Sequence, residues 1–259
     1  MINSLPHLDG AFEWTEEPWG RALRCTAIAS PHLFSTRDLE IRGANAQPST
    51  AWDQLAASLG LSAGDVLRPR QVHGVGVAVV SAAPVDATEV CASAADIIMT
   101  ANVDRAVAVQ SADCVPLLFF DSRTGAVAAA HAGWRGTAAG IAGKAMNAMA
   151  AAFGTRPGDV VVAIGPSIGP CCYRVGDDLL AAFGPNGRRW FYRIKGALML
   201  NLWNANRDQL LEAGITGDHI HVAELCTADD ASLFHSYRRD GAPAGRLVAA
   251  IRSSRPRPA

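Results

Sequence analysis

Two histidines and one cysteine, His73, Cys114 and His131, each sit where an apolar stretch begins, breaks or ends. Two imidazoles and a thiolate leave a fourth coordination position open, which is the donor pattern of catalytic rather than structural zinc. Coordination would also explain a thiol in apolar surroundings, because the metal deprotonates it and offsets its charge. The gaps of 41 and 17 positions match no compact metal motif. The same residues therefore also fit two core histidines and a small buried hydrophobe. Asp113 lies beside Cys114 in a stretch flanked by Ala106–Gln110 and Leu117–Phe120, which reads as one buried strand with a polar interruption. A carboxylate there is costly unless it is paired or ligating.

Other polar clusters offer anion chemistry. Arg135 and Gly136 precede an expected helix at Thr137, where free N–H groups and the helix dipole favour anions. Tyr237, Arg238 and Arg239 occupy a turn that is either an anion clamp or a solvated corner. Gln71 precedes His73 closely enough to orient it. The loop from Gly165 to Cys172 is stiffened by prolines, and its adjacent Cys171 and Cys172 are expected to point to opposite sides and not to act as joint ligands. His219 and His221 have a copper-like spacing, but a multicopper oxidase needs roughly ten histidines, and the chain has 7.

The elements that must position these groups alternate along the chain. Strand patterns fall at Val75–Val80, Arg105–Gln110, Val127–Ala130, Val160–Ile164, His219–Leu225 and Arg246–Ile251. Helical spacing places Trp52, Leu55, Ala56 and Leu59 on one face, with Ser49 or Thr50 as cap. Residues 137–153 read as one helix with Ile141, Ala145, Ala148 and Ala152 inward, and residues 202–213 as another. Without a strict strand–helix–strand beat, the pattern predicts an α+β fold, a layered sandwich of mixed β-sheets with flanking helices. A single domain over 1–252 and a flexible basic tail over 253–259 are expected. No glycine-rich phosphate loop of the dinucleotide or P-loop type occurs.

Composition narrows the classes further. The 259 residues are 49% hydrophobic and carry a formal net charge of −1, which excludes intrinsic disorder and any global field for nucleic acid or anionic membrane. Alanine supplies 48 of the residues, so the apolar fraction overstates the large core side chains. No apolar run is long enough to span a membrane, and the N-terminus lacks the pattern of a secretory signal. Six scattered cysteines then point to reduced thiols and a cytoplasmic protein, with no coiled-coil stripe and so a monomer or weak homo-oligomer.

Six segments, RQVHG, SADCVPLLFFD, AHAGWRGTAAGI, AIGPSIGPCCYRVG, LNLWNANRDQLLEAGI and CTADDASLFHSYRRDG, follow one another within residues 70–251. With them the chain resembles the laccase-domain (YfiH-like) proteins, described as polyphenol oxidases and as zinc-dependent purine nucleoside phosphorylases with adenosine deaminase side activity. The resemblance implies metal ligands at His73, Cys114 and His131, with zinc as the ion and copper as the other candidate. It implies purine nucleosides and phosphate as small-molecule partners, bound by Arg37, Gln71, Arg135, Tyr237 and Arg238. Asp113 is the nearest carboxylate in sequence for moving protons in deamination, although strand alternation would turn it away from Cys114. Two departures stand out. Ser35, Thr36 and Arg37 keep the family pattern, but the loop from there to Gly43 lacks its double glycine, and Arg174 stands where a glutamate often follows the tyrosine. Three other functions compete with phosphorolysis: copper-dependent polyphenol oxidation, a thiol hydrolase with Cys114 as nucleophile, and a non-catalytic binding module.

Overall fold

The computed structural model describes residues 5–8, 10–41, 50–80 and 87–255. Ser49, the loop around Gly43 and the last four residues of the expected tail lie outside the described residues.

Two six-stranded sheets carry the fold. The first runs β1 (Phe12–Glu17), β2 (Gly20–Cys25), β3 (His32–Ser35), β14 (Leu247–Arg252), β7 (Ala106–Ser111), β4 (Val66–Leu67). The second runs β13 (Ile220–Val222), β10 (Val160–Ile164), β8 (Val115–Asp121), β9 (Val127–Ala132), β6 (Ile97–Thr100), β5 (Val77–Val80). A separate hairpin pairs β11 (Phe191–Ile194) with β12 (Ala197–Leu200). Both large sheets are mixed, with β4 parallel to β7, β5 to β6, and β10 to β13. The helices are α1 (Thr50–Ser58), α2 (Ala87–Ala92), α3 (Trp134–Ala138), α4 (Ile141–Phe153), α5 (Asp178–Gly187), α6 (Leu202–Glu212) and α7 (Tyr237–Asp240).

Side-chain alternation explains the layers. β8 is buried along its whole length, so both of its faces must meet protein. Leu118 and Phe120 face the first sheet, packing among Val107, Val109, Phe34 and Ile251. Leu117 and Phe119 face the other way, toward Ile141, Ala145 and Met149 of α4 and Leu210 of α6. The outer face of the first sheet, including Leu33, Ala108 and Val248, is covered by Trp52 and Leu55 of α1. The order is helix, sheet, sheet, helix: the α+β layered sandwich that the sequence implies. Leu118 is fully buried between the sheets. Leu118→Ala should therefore cost about 2–5 kcal/mol, read as a lower urea midpoint with an unchanged slope.

The structure corrects four expectations. Ala106–Gln110 and Leu117–Phe120 are not one interrupted strand, because β7 belongs to the first sheet and β8 to the second. Ala112–Cys114 is the corner where the chain changes sheets, and Asp113 takes φ 83 to make it. The single helix over 137–153 is two helices. Gly140 separates them in the left-handed region at φ 80, a conformation that cannot continue a helix. Ala152 is exposed, and Met146 and Met149 complete the inward face of α4 instead. Ser253 does not begin a loose tail: it is buried, with its Oγ donating to the Gly125 carbonyl at 2.8 Å.

Candidate metal centre

His73, Cys114 and His131 come from three separate places: the connection between β4 and β5, the sheet-changing corner, and the end of β9. Their donor atoms all lie within 4.8 Å of one another. The two imidazoles meet edge to face with centroids 4.8 Å apart. His131 is buried, Cys114 half-buried and His73 exposed, so the group is closed on the protein side and open to solvent on the His73 side. The sequence could not choose between a ligand trio and three core residues; the geometry brings the trio together.

A buried aspartate organises it. Asp96, fully buried at the start of β6, sets Oδ1 2.8 Å from His131 Nδ1. With its Nδ1 proton donated there, His131 turns Nε2 to the centre, and an ion binding at Nε2 would release the proton it carries. Asp96 also accepts N–H bonds from Val72, His73 and Gly74 at 3.2, 3.0 and 2.6 Å, which fixes the backbone carrying the other histidine. His73 is held at φ 60, a left-handed conformation that costs a non-glycine residue about 1–3 kcal/mol. Burial opposes the charge on Asp96, but the bond from His131 and the backbone donors outweigh it and hold the carboxyl below its ordinary pKa. Burial likewise opposes a Cys114 thiolate, yet the neighbouring His131 charge and hydrogen bonds from both histidines bring the thiol down to about 6. His131 moves the opposite way, to about 9: burial disfavours its charge, and Cys114 and Asp96 together favour it.

These residues fit a metal ion. The donors are two borderline nitrogens and one soft sulfur, as zinc prefers, and a carboxylate backs one imidazole as such sites require. A glycine provides the room. A Cβ at Gly133 would stand 3.0 Å from Cys114 Sγ and 3.2 Å from His73 Cδ2. Gly133 has φ −70, which any residue adopts, so the constraint is purely steric. Gly133→Ala should leave the melting temperature nearly unchanged but displace the ligands. The ligands must give by a few tenths of an ångström, so turnover should fall, short of the ~100-fold that a full 1 Å misplacement costs, with metal retention after dialysis as the parallel readout.

The remaining candidate residues divide. Asp113, proposed for proton transfer, has both carboxylate oxygens engaged: Oδ1 accepts from Thr227 Oγ1 at 2.7 Å and Oδ2 from the Arg238 N–H at 2.6 Å. It ties the corner to the segment carrying α7. Gln71 is occupied in the same way, donating to the Gln110 carbonyl and accepting from the Gln110 N–H, both at 2.7 Å. It extends the edge of β7 and does not point a free amide at a substrate. Arg37 donates to the carbonyls of Ala231 through its side chain and Leu233 through its backbone. Arg135 lies inside the first turn of α3, not before it, and stacks 4.4 Å over Trp134. Tyr237 is 57% exposed at the start of α7. Arg238 lies 5.0 Å over the Tyr173 ring and donates to the Arg174 carbonyl.

Two features escaped the sequence reading. Tyr173 lies under the Arg238 guanidinium: burial foremost, then the charge of Cys114, push its hydroxyl up to about 12, against the pull of Arg238 and Arg135. The only sequence signal was its place between the cysteine pair and Arg174. The second is the cysteine pair itself. Cys171 and Cys172 do not diverge; their sulfurs are 3.6 Å apart and both lie within 4.8 Å of Cys226 Sγ. They occupy a turn, where strand alternation does not apply.

A family model described as multi-copper polyphenol oxidoreductase laccase matches residues 40–254. The purine nucleoside phosphorylase YlmD of Geobacillus stearothermophilus is 45% identical over 145 residues, 54% of this chain and 53% of that protein, so the match spans about half of each. A purine nucleoside phosphorylase of Deinococcus radiodurans is 36% identical over 243 residues, covering 88% of this chain and 91% of that protein. The adenosine deaminase RL5, from an unknown prokaryotic organism, is 33% identical over 76% of this chain and 78% of that protein. Among solved structures, YlmD from Geobacillus stearothermophilus superposes with a TM-score of 0.80 at 30% identity, over 93% of this chain and 98% of that one. Sequence motifs, sandwich architecture and these matches agree: the chain belongs to the multi-copper polyphenol oxidoreductase laccase family, the YfiH-like group.

Proposed function

We propose that the chain is a purine nucleoside phosphorylase that works with one zinc ion held by His73, Cys114 and His131, and that it deaminates adenosine as a side activity. The observation that carries this reading is the centre itself, with two imidazoles and a thiolate braced by buried Asp96 and facing solvent on one side. The relative named purine nucleoside phosphorylase that aligns over 88% of the chain supports the substrate class. When bound, zinc supplies Lewis acidity at the position the three ligands leave open. The protein's own groups do the rest. Arg238, over the Tyr173 ring, and Arg135, over Trp134, supply two cations for phosphate, whose oxygen must approach ribose C1′ as the purine departs. Tyr173, protonated at neutral pH, keeps its O–H as a donor. Asp96 holds the proton on His131 Nδ1 and so the orientation of the ring. No helix among the described residues is long and apolar enough to cross a membrane.

The test is incubation of zinc-loaded protein with inosine or adenosine and phosphate. Release of hypoxanthine or adenine with ribose 1-phosphate is expected, and no turnover across the common purine nucleosides would overturn the reading. Copper-dependent dioxygen uptake on phenols that outpaces phosphorolysis would favour the oxidase instead. Arg135→Ala and Arg238→Ala should each raise KM for phosphate about 10-fold or more, the worth of one charge-assisted hydrogen bond. KM for nucleoside should move far less.

A further inference from the structure

Cys171, Cys172 and Cys226 form a thiol cluster that shares no residue with the centre above. Two chain segments build it. The loop after β10 and the segment after β13 run side by side: Ser167 N–H donates to the Leu225 carbonyl at 3.1 Å, and Thr227 N–H to the Ser167 carbonyl at 3.0 Å. A tight turn follows, in which Cys172 and Tyr173 both donate to the Gly169 carbonyl at 3.0 Å, folding the two adjacent cysteines back over Cys226. Gly169 makes the approach possible. A Cβ there would stand 3.0 Å from Cys226 Cβ, 3.2 Å from Cys171 Sγ and 2.9 Å from the Trp203 ring. Its N–H points at Cys226 Sγ from 3.2 Å, a donor suited to a sulfur that carries negative charge.

The spacing fits an ion between the sulfurs. Three sulfurs about 2.3 Å from a common centre lie about 4 Å from one another. The observed separations, from 3.6 Å up to a limit of 4.8 Å, bracket that value. A disulfide would use only two of the three. No carboxylate or imidazole among the described residues joins the group, so the donor set is purely soft. Cys171 is exposed and the other two are half-buried, which leaves an entry path.

We propose that Cys171, Cys172 and Cys226 are a second metal site, a three-thiolate cup for a soft d10 cation, monovalent copper in preference to divalent zinc. Zinc on three thiolates would still need water in a fourth position, whereas monovalent copper is the softer ion that thiolates select and is satisfied by three sulfurs. Binding is not a redox step: three S–H bonds break, three metal–sulfur bonds form, and three protons leave to solvent. A filled cup would pin the loop leading into Tyr173 to the segment leading into α7, beside the first centre but independent of it.

The test uses full-length, reduced protein without oxygen, titrated with monovalent copper against bathocuproine disulfonate and, separately, with zinc against pyridylazoresorcinol. The wild type and Cys114→Ser should each retain one copper per chain that X-ray absorption reports as bound by three sulfurs. Retention should fall at least 100-fold in Cys226→Ser and in the double variant Cys171→Ser/Cys172→Ser, with circular dichroism melts checking that these variants fold. A second measurement needs no variant: copper should protect Cys171 and Cys172 from iodoacetamide in peptide maps of the wild type. Undiminished retention in both serine variants, no protection, or copper lost with Cys114→Ser alone would overturn the site. Zinc held by the cup as tightly as copper would overturn the choice of cation.

Discussion

Cys114→Ser should give a folded protein that loses its metal on dialysis and turns over nucleoside at least ~100-fold more slowly. A serine hydroxyl does not ionise near neutral pH, so the anionic donor disappears while side-chain volume barely changes. Cys114 is half-buried at a corner and not in the centre of a layer, so the stability of the metal-free protein should change little. Metal content by mass spectrometry, turnover and a thermal melt are the three readouts. Their combination separates rival chemistries. If activity disappears while the metal stays, Cys114 acts as a nucleophile and the thiol-hydrolase reading gains. If both survive, Cys114 is not a ligand.

Asp96→Asn should be the more damaging substitution for stability. Each carboxylate oxygen of Asp96 accepts at least two N–H donors: His131 Nδ1 and the His73 amide on Oδ1, and the Val72 and Gly74 amides on Oδ2. An asparagine must turn its NH2 toward one of these pairs, setting donor against donor in a site with no solvent access. Breaking a buried charged network of this kind costs about 3–5 kcal/mol, and metal affinity should fall about 10–100-fold as His131 loses its orienting partner. Urea unfolding in the presence of a chelator isolates the first effect, and zinc competition isolates the second. A variant with unchanged urea midpoint and unchanged zinc affinity would remove Asp96 from its organising role.

Much of the fold was legible because alternation and helical spacing report burial directly. The apolar run of β8 had to be buried on both faces, and Trp52 and Leu55 had to cover a sheet. Periodicity does not say which sheet a strand joins, so β7 and β8 read as one strand although they belong to different layers. His73, Cys114 and His131 could be singled out because each breaks an apolar context. Asp96 offered a fainter signal, an acidic residue one position before the buried run Ile97–Thr100, and nothing local distinguishes that from an exposed strand end. What Gln71 and Asp113 bond to was not legible for the converse reason. Their polar atoms are consumed by Gln110, Thr227 and Arg238, partners far off in sequence. The cysteine pair was expected to diverge, but the turn folds both sulfurs to the same side.

The ligands of the first centre stand 41 and 17 positions apart in the chain, brought together only when β5, β6, β9 and β8 pair in the second sheet. An unfolded chain has no comparable arrangement, so an ion held there favours the folded state alone. At free metal 100-fold above its dissociation constant, that preference is about 2.7 kcal/mol. The fraction of time the chain spends open to proteases would shrink by roughly the same factor of 100. Supply of that ion would thus set the lifetime of the protein, and a cell short of it would clear the empty protein instead of storing it.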